Sequence, residues 1–388
     1  MNTQIIKGPK IYTEETVLEN SAIEIQDGRI KNIGTEFYDT SNILEFPSNW
    51  HLIPGMIDMH IHGAAGADTM DATEQALDTI SSALVKEGVT SFLAATISEE
   101  FEAIENAIKT VANYVKNKEE IIGAQILGIN LESSFLSAEK CGCQNANYFV
   151  APSIELFKHW QKLANNLIKI VTIAPELEHA LDLIKYLHES QVIASLGHSN
   201  ATYNEAIVAI AAGGTQATHV FNAMRSIHHR EPGIVTAVLL NDKIMTEVIA
   251  DGVHVHPAIL QLIYKLKGAD KIILVTDGMR AKYLKDGIYE YGGEQVIVKD
   301  NTAKLADGTL AGSVLTMDKA LRNMLKFTDC RLKDAIKMTA ENSAKQLNIF
   351  DHKGSIAVGK DADLVVLDEN LQVKKTVIKG QIFTPQLA

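Results

Sequence analysis

The chain has 388 residues, 46% apolar and 22% charged, with a formal net charge of −12 and a pI near 5.6. That length exceeds one ordinary core, so it calls for two domains or one large α/β barrel with an appendage, and the composition excludes disorder. The acidic balance argues against nucleic-acid and anionic-membrane partners, whose phosphates are held by clustered Lys and Arg, and leaves room for a small anionic substrate in a local basic pocket.

The opening stretch "MNTQIIKGPKIYTEE" lacks a basic region followed by an apolar run, and no later run reaches membrane-span length. A cytoplasmic protein is expected. Three cysteines, an odd number, fit a reducing compartment better than a disulfide framework. Cys141 and Cys143 form a Cys-x-Cys pair, but no second pair completes a soft-metal site, and reduced loop thiols are the simpler reading.

The first fifty residues carry short alternating stretches, with "QDGR" as an Asp-Gly turn between two strands. The last thirty or so read the same way. Neither end has enough strands to be stable alone, so the two are expected to meet in one small β domain, residues 1–53 plus 354–388, flanking a barrel over residues 54–353.

Between them, apolar strand-like runs alternate with helical stretches such as "ATEQALDTISSALVKEG" and "FEAIENAIKTVANYVKN", where apolar residues recur three and four apart. The runs "MIDMHIH", "VTSFLAAT", "AQILGINLE", "IKIVTIAPE", "VIASLGH", "QATHVFN", "IMTEVIAD" and "IILVTDG" supply the eight strands of a (β/α)₈ TIM-like barrel, an α/β fold whose strand ends share one mouth. Those ends carry His60 and His62, Thr96, Glu132, Glu176, His198, His219, Asp251 and Asp277. Residues 282–313, rich in Gly turns and β-like pieces, read as an excursion after the eighth strand that reaches over the mouth as a lid or rim.

"LIPGMIDMHIHG" sets His60 and His62 one residue apart on a strand, hence on one face. The spacing alone is weak, since "DGVHVHP" repeats it at His254 and His256. With Glu132, His198 and His219 the group suits Zn²⁺ or another divalent first-row metal. One division puts His60 and His62 on a first ion, His198 and His219 on a second, and Glu132 between them. A cation held there lowers the pKa of water toward ~7 and polarises a carbonyl, so hydrolysis of an amide or ester is the natural reaction. Asp277, in "LVTDGM", would take a proton from water and pass it to a leaving nitrogen; otherwise it is a structural ligand or a helix cap.

The stretches "LIPGMIDMHIHG", "GHSNATY", "GGTQATHVFNAM", "REPG", "IADGVHVHP", "LVTDG" and "DGTLAGSVLTMDKA", with the closing "GSIAVGKDADLVVLD", resemble the N-acetylglucosamine-6-phosphate deacetylases of the amidohydrolase superfamily. The resemblance implies a barrel with a small β-sandwich domain built from both termini. It also implies removal of the acetyl group from N-acetyl-D-glucosamine 6-phosphate in amino-sugar catabolism or recycling. Its metal ligands fall on Glu132, His198 and His219, with His60 and His62 marking the two-ion kind; Zn or Fe is the expected metal. Asp277 falls on the general base and acid. Substrate contacts fall on Cys143, Gln144, Asn222, Ala223, Arg230, His254, Leu310, Ala311 and Gly312, with Arg230 supplied across a homodimer.

Two departures stand out. Ser133 and Ser134 follow Glu132 where the family reads Gly-Pro, and Gln144 stands where some members carry a His. A paralogue acting on another acylated sugar phosphate therefore remains as an alternative, as does, more remotely, a non-catalytic scaffold.

Overall fold

The computed structural model describes residues 3–37 and 42–385; residues 1–2, 38–41 and 386–388 of the expected small β domain lie outside the described residues. The apolar runs, buried along nearly their whole length, become eight parallel strands: β1 (Met56–Ile61), β2 (Val89–Ala95), β3 (Gln125–Leu131), β4 (Ile168–Ile173), β5 (Ile193–Leu196), β6 (Gly214–Ala217), β7 (Met245–Val248) and β8 (Ile272–Leu274). They pair in chain order. Such two-sided burial is what parallel sheets covered by helices require.

Closure between β1 and β8 rests on a few bonds just past the strand ends. The peptide N–H of Asp277 donates to the carbonyl of His60 at 2.8 Å, and that of His62 to Gly278 at 2.9 Å. At the opposite end the last helical segment seals the seam: Asn342 Nδ2 donates to the carbonyls of Ala269 and Ile272, both at 2.7 Å, and Ser343 Oγ to that of Ile57 at 3.3 Å.

One main helix follows each strand, from Glu74–Leu84 after β1 to Met317–Phe327 after β8. The helix after β5, Tyr203–Ala212, begins in a capping box: Thr202 accepts from the Glu205 N–H while Glu205 reaches back to the Thr202 N–H. Such a cap is worth about 1 kcal/mol and fixes where the loop carrying His198 ends.

Both ends of the chain share sheets. Leu364–Leu367 lies antiparallel to His51–Pro54, with Val373–Ile378 and Gln381–Phe383 outside it and Lys10–Tyr12 on the other side. A second sheet holds Thr3–Lys7, Ala22–Gln26, Arg29–Gly34 and Ile43–Glu45. Asp27 and Gly28, at φ 50° and 79°, make the tight turn that "QDGR" announces. Ile6, Ile23, Ile30, Leu52, Leu364 and Val366 fill the core between the sheets. The excursion after β8 folds as a three-stranded antiparallel sheet, Gly287–Tyr291, Glu294–Lys299 and Thr302–Lys304, over its own small apolar core.

Candidate metal centre and active-site cavity

β1 carries buried His60, with buried His62 just beyond its end, and β3 is followed by buried Glu132. β5, β6 and β8 stop short of the runs expected for them, so His198, His219 and Asp277 lie beyond the strands. All three adopt positive φ, at 46°, 26° and 48°. Non-glycine residues rarely do so, and each such conformer costs of order 1–3 kcal/mol. The left-handed turn swings each side chain into the mouth.

Two ligand groups result: His60 with His62 and Asp277, and Glu132 with His198 and His219. Glu132 stands between them. Its Oε1 is 3.2 Å from His198 Nε2 and 3.1 Å from His219 Nε2, while its Oε2 is 3.4 Å from His60 Nε2 and 3.5 Å from His62 Nε2. Asp277 Oδ1 lies 3.2 Å from His62 Nε2 and 3.8 Å from His60 Nε2.

The donor set suits divalent cations. His198 Nδ1 bonds the Lys140 carbonyl at 3.0 Å and His60 Nδ1 bonds a carboxylate of Glu247 at 3.0 Å, which leaves both Nε2 atoms aimed inward. His60 Nε2 and His62 Nε2 are buried without a hydrogen-bond partner. Burial alone favours neutral side chains, yet His60 and His198 hold Glu132 well below the usual carboxylate range. Against the same burial, Asp277 and Glu132 raise His62 to about 9. Carboxylates that draw protons onto imidazoles in this way are the groups that exchange those protons for a metal ion.

A cavity of about 200 Å³ opens above the ligands. Its walls include Glu132, His198, His219 and Asp277 together with Cys143, Gln144, Asn222, Ala223, His254, Leu310 and Gly312. Gln144 Nε2 donates to Glu132 Oε2 at 3.0 Å, while its Oε1 accepts from the Ser98 N–H at 2.8 Å. Ser133 Oγ pairs with Thr96 Oγ1 at 2.6 Å and Ser133 O accepts from Ser98 Oγ, so the "LESSF" turn is held by hydroxyls. His254 Nδ1 bonds Asp251 Oδ2 at 2.6 Å.

Two expected contacts lie elsewhere. Arg230 is exposed, beside His229, and does not line the cavity. Ala311 is fully buried and turns into the apolar core of the excursion. Glu176 braces the neighbouring loop after β5, accepting from Ser199 Oγ at 2.7 Å and from the Asn200 N–H.

Sequence reasoning missed two residues. Tyr291, at the first turn of the excursion sheet, lines the cavity and stands edge-on to His62 with ring centroids 5.3 Å apart. Glu247 sits inside β7, where "MTEV" reads as ordinary alternation; a carboxylate facing the interior of a barrel was the available signal.

A match to the amidohydrolase family covers residues 51–383. The chain belongs to the amidohydrolase family. Among curated relatives this amidohydrolase is 46% identical to an N-acetylglucosamine-6-phosphate deacetylase of Bacillus subtilis, over 97% of its own length and 96% of the relative's. It is 35% identical to an N-acetylgalactosamine-6-phosphate deacetylase of Escherichia coli O157:H7, over 98% and 99%. The structure of N-acetylglucosamine-6-phosphate deacetylase from Pasteurella multocida superposes with a TM-score of 0.93 at 30% identity, covering 99% of this amidohydrolase and 100% of that chain.

Proposed function

We propose that this amidohydrolase removes the acetyl group from N-acetyl-D-glucosamine 6-phosphate, giving D-glucosamine 6-phosphate and acetate in amino-sugar metabolism. The observation that carries the reading is Asp277, 3.2 Å from His62 and in one small cavity with the Glu132 group, in a chain alike over its whole length to deacetylases of this substrate class.

Glu132, His198 and His219 would hold one ion, and His60 and His62, with Asp277 beside them, a second; Zn or Fe suits these ligands. A divalent cation there supplies Lewis acidity toward the amide oxygen and toward water. Asp277 is held ionised: burial raises its pKa, but His62, His60 and His219 bring it below the usual value. An ionised carboxylate accepts the proton of the attacking water and returns it to the departing nitrogen, which leaves as the amine. Gln144 braces Glu132. Asn222, His254 and the Ala223 and Leu310–Gly312 segments form the wall that would seat the sugar.

Among the described residues no Arg or Lys lines the cavity, so the phosphate needs a cation from outside it. Arg230, exposed on its loop, would serve a neighbouring subunit of a homodimer, since its fork bonds two phosphate oxygens. Cytoplasmic location and a small β domain of residues 1–53 plus 354–388 complete the reading; among the described residues no helix is long and apolar enough to cross a membrane.

The relative from Escherichia coli O157:H7 favours a second reading, the 4-epimeric N-acetylgalactosamine 6-phosphate. Acetate release from both sugar phosphates, with unphosphorylated N-acetylglucosamine as control and bound metal quantified, tests the assignment. Faster turnover of the gluco substrate supports it; faster turnover of the galacto epimer replaces it with the second reading, and no release from either rejects both.

A further inference from the structure

We infer that Glu247 is a positioning residue that makes His60 a metal ligand and locks the two ligand groups into one unit. The inference rests on the metal-centre reading above, and its test does not depend on turnover. Glu247 is fully buried on β7. Its Oε2 accepts from His60 Nδ1 at 3.0 Å and from the peptide N–H of His219 at 3.2 Å, and its Oε1 accepts from Gln216 Nε2 at 2.6 Å.

Three donors therefore converge on one side chain that only accepts. With the Nδ1 proton fixed by Glu247, the lone pair of His60 is at Nε2, the atom that faces Glu132 and Asp277. The same carboxylate oxygen fixes the backbone at His219, where φ is 26°. His60 belongs to one ligand group and His219 to the other, so a single oxygen sets their relative position. An apolar side chain cannot replace it, because the His60 Nδ1–H and the His219 N–H would be buried without an acceptor. An amide can replace it in part: the oxygen of a Gln at 247 can keep both bonds if Gln216 turns its own oxygen, buried without a partner, toward the new NH₂. Asp251, the other carboxylate of this strand end, is engaged by His254 and offers no substitute.

The test titrates metal-free protein with Zn²⁺ against a chelator buffer and counts zinc per chain, alongside ring-¹⁵N spectra of the zinc-loaded protein. Wild type is expected to take two zinc ions and to show a hydrogen-bonded Nδ1–H on His60. In Glu247→Leu one zinc weakens by about 10- to 100-fold, the other changes less, and the His60 signal is lost, while Glu247→Gln, which can keep an oxygen on His60, restores part of the affinity and the signal. Gln216→Met keeps the His60 bond and removes only the donor to Oε1; it weakens the same zinc by a smaller factor and decides the matter should Glu247→Leu not fold. Equal stoichiometry and affinity in the variants and wild type overturn the inference, as does a wild type that takes up a single zinc ion. If this zinc pattern appears without acetate release, the substrate reading fails and the role of Glu247 stands.

Discussion

The peptide N–H of Asp277 donates to the carbonyl of His60 at 2.8 Å, so the residue proposed to move protons is bonded to the strand that carries the first two histidines. Barrel closure and site assembly are thus the same event. Asp277→Asn keeps that backbone bond and the side-chain volume but loses the base. kcat is expected to fall by ~10²–10⁴, with zinc on the Glu132 group close to wild type. Unchanged turnover would remove Asp277 from the chemistry.

Gln144 links Glu132 to the Ser98 backbone, so its truncation strips one oxygen of Glu132 of a donor and orphans a buried N–H. For Gln144→Ala, kcat/KM should drop about 10- to 100-fold. Steady-state kinetics together with zinc titration would check this, and a drop confined to KM would assign Gln144 to substrate contact alone.

Cys143 is half-buried in the cavity wall near Asp277 and Glu132, and desolvation first, then those negative charges, push its thiol well above the ordinary range. The thiolate is the reactive form. In metal-free native protein at pH 8, iodoacetamide should modify Cys143 at least ~10-fold more slowly than in urea, with peptide mass spectrometry locating the label. Rapid native labelling would show that the thiol is not held in its protonated form.

Lys282 and Glu87 form an ion pair at 2.6 Å with both side chains essentially sealed from water; Glu87 also accepts from the Met317 N–H at 3.0 Å. Removing one partner strands the other. Lys282→Met should cost about 3–5 kcal/mol in denaturant unfolding. A loss under ~1 kcal/mol, the range of an exposed pair, would mean that water reaches the site.

Much of the barrel was legible because two-sided burial leaves uninterrupted apolar runs, and each run was followed by a helical period. The polar groups at the run ends were legible for the same reason. Hidden were features that depend on contacts between distant segments. The positive φ of His198, His219 and Asp277 leaves no mark in residue type, unlike Gly28 in its turn. Tyr291 reaches His62 only because the excursion folds back across the mouth. Glu247 lies inside its run, away from the end positions that mark the other candidates, while Asp251 at the run end drew attention for its position and proved to serve His254. Ala311 has the right neighbours, Leu310 and Gly312, but its methyl points away from them into the excursion core.

The sheet that joins His51–Pro54 to Leu364–Leu367 has a consequence for biosynthesis. On the ribosome the early strand emerges long before its partner is made, so throughout translation its edge stays open beside β1. Only a chain made past residue 367 can cover it. Polypeptides that terminate early would keep that edge exposed, a surface by which chaperones and proteases could tell unfinished chains from finished ones.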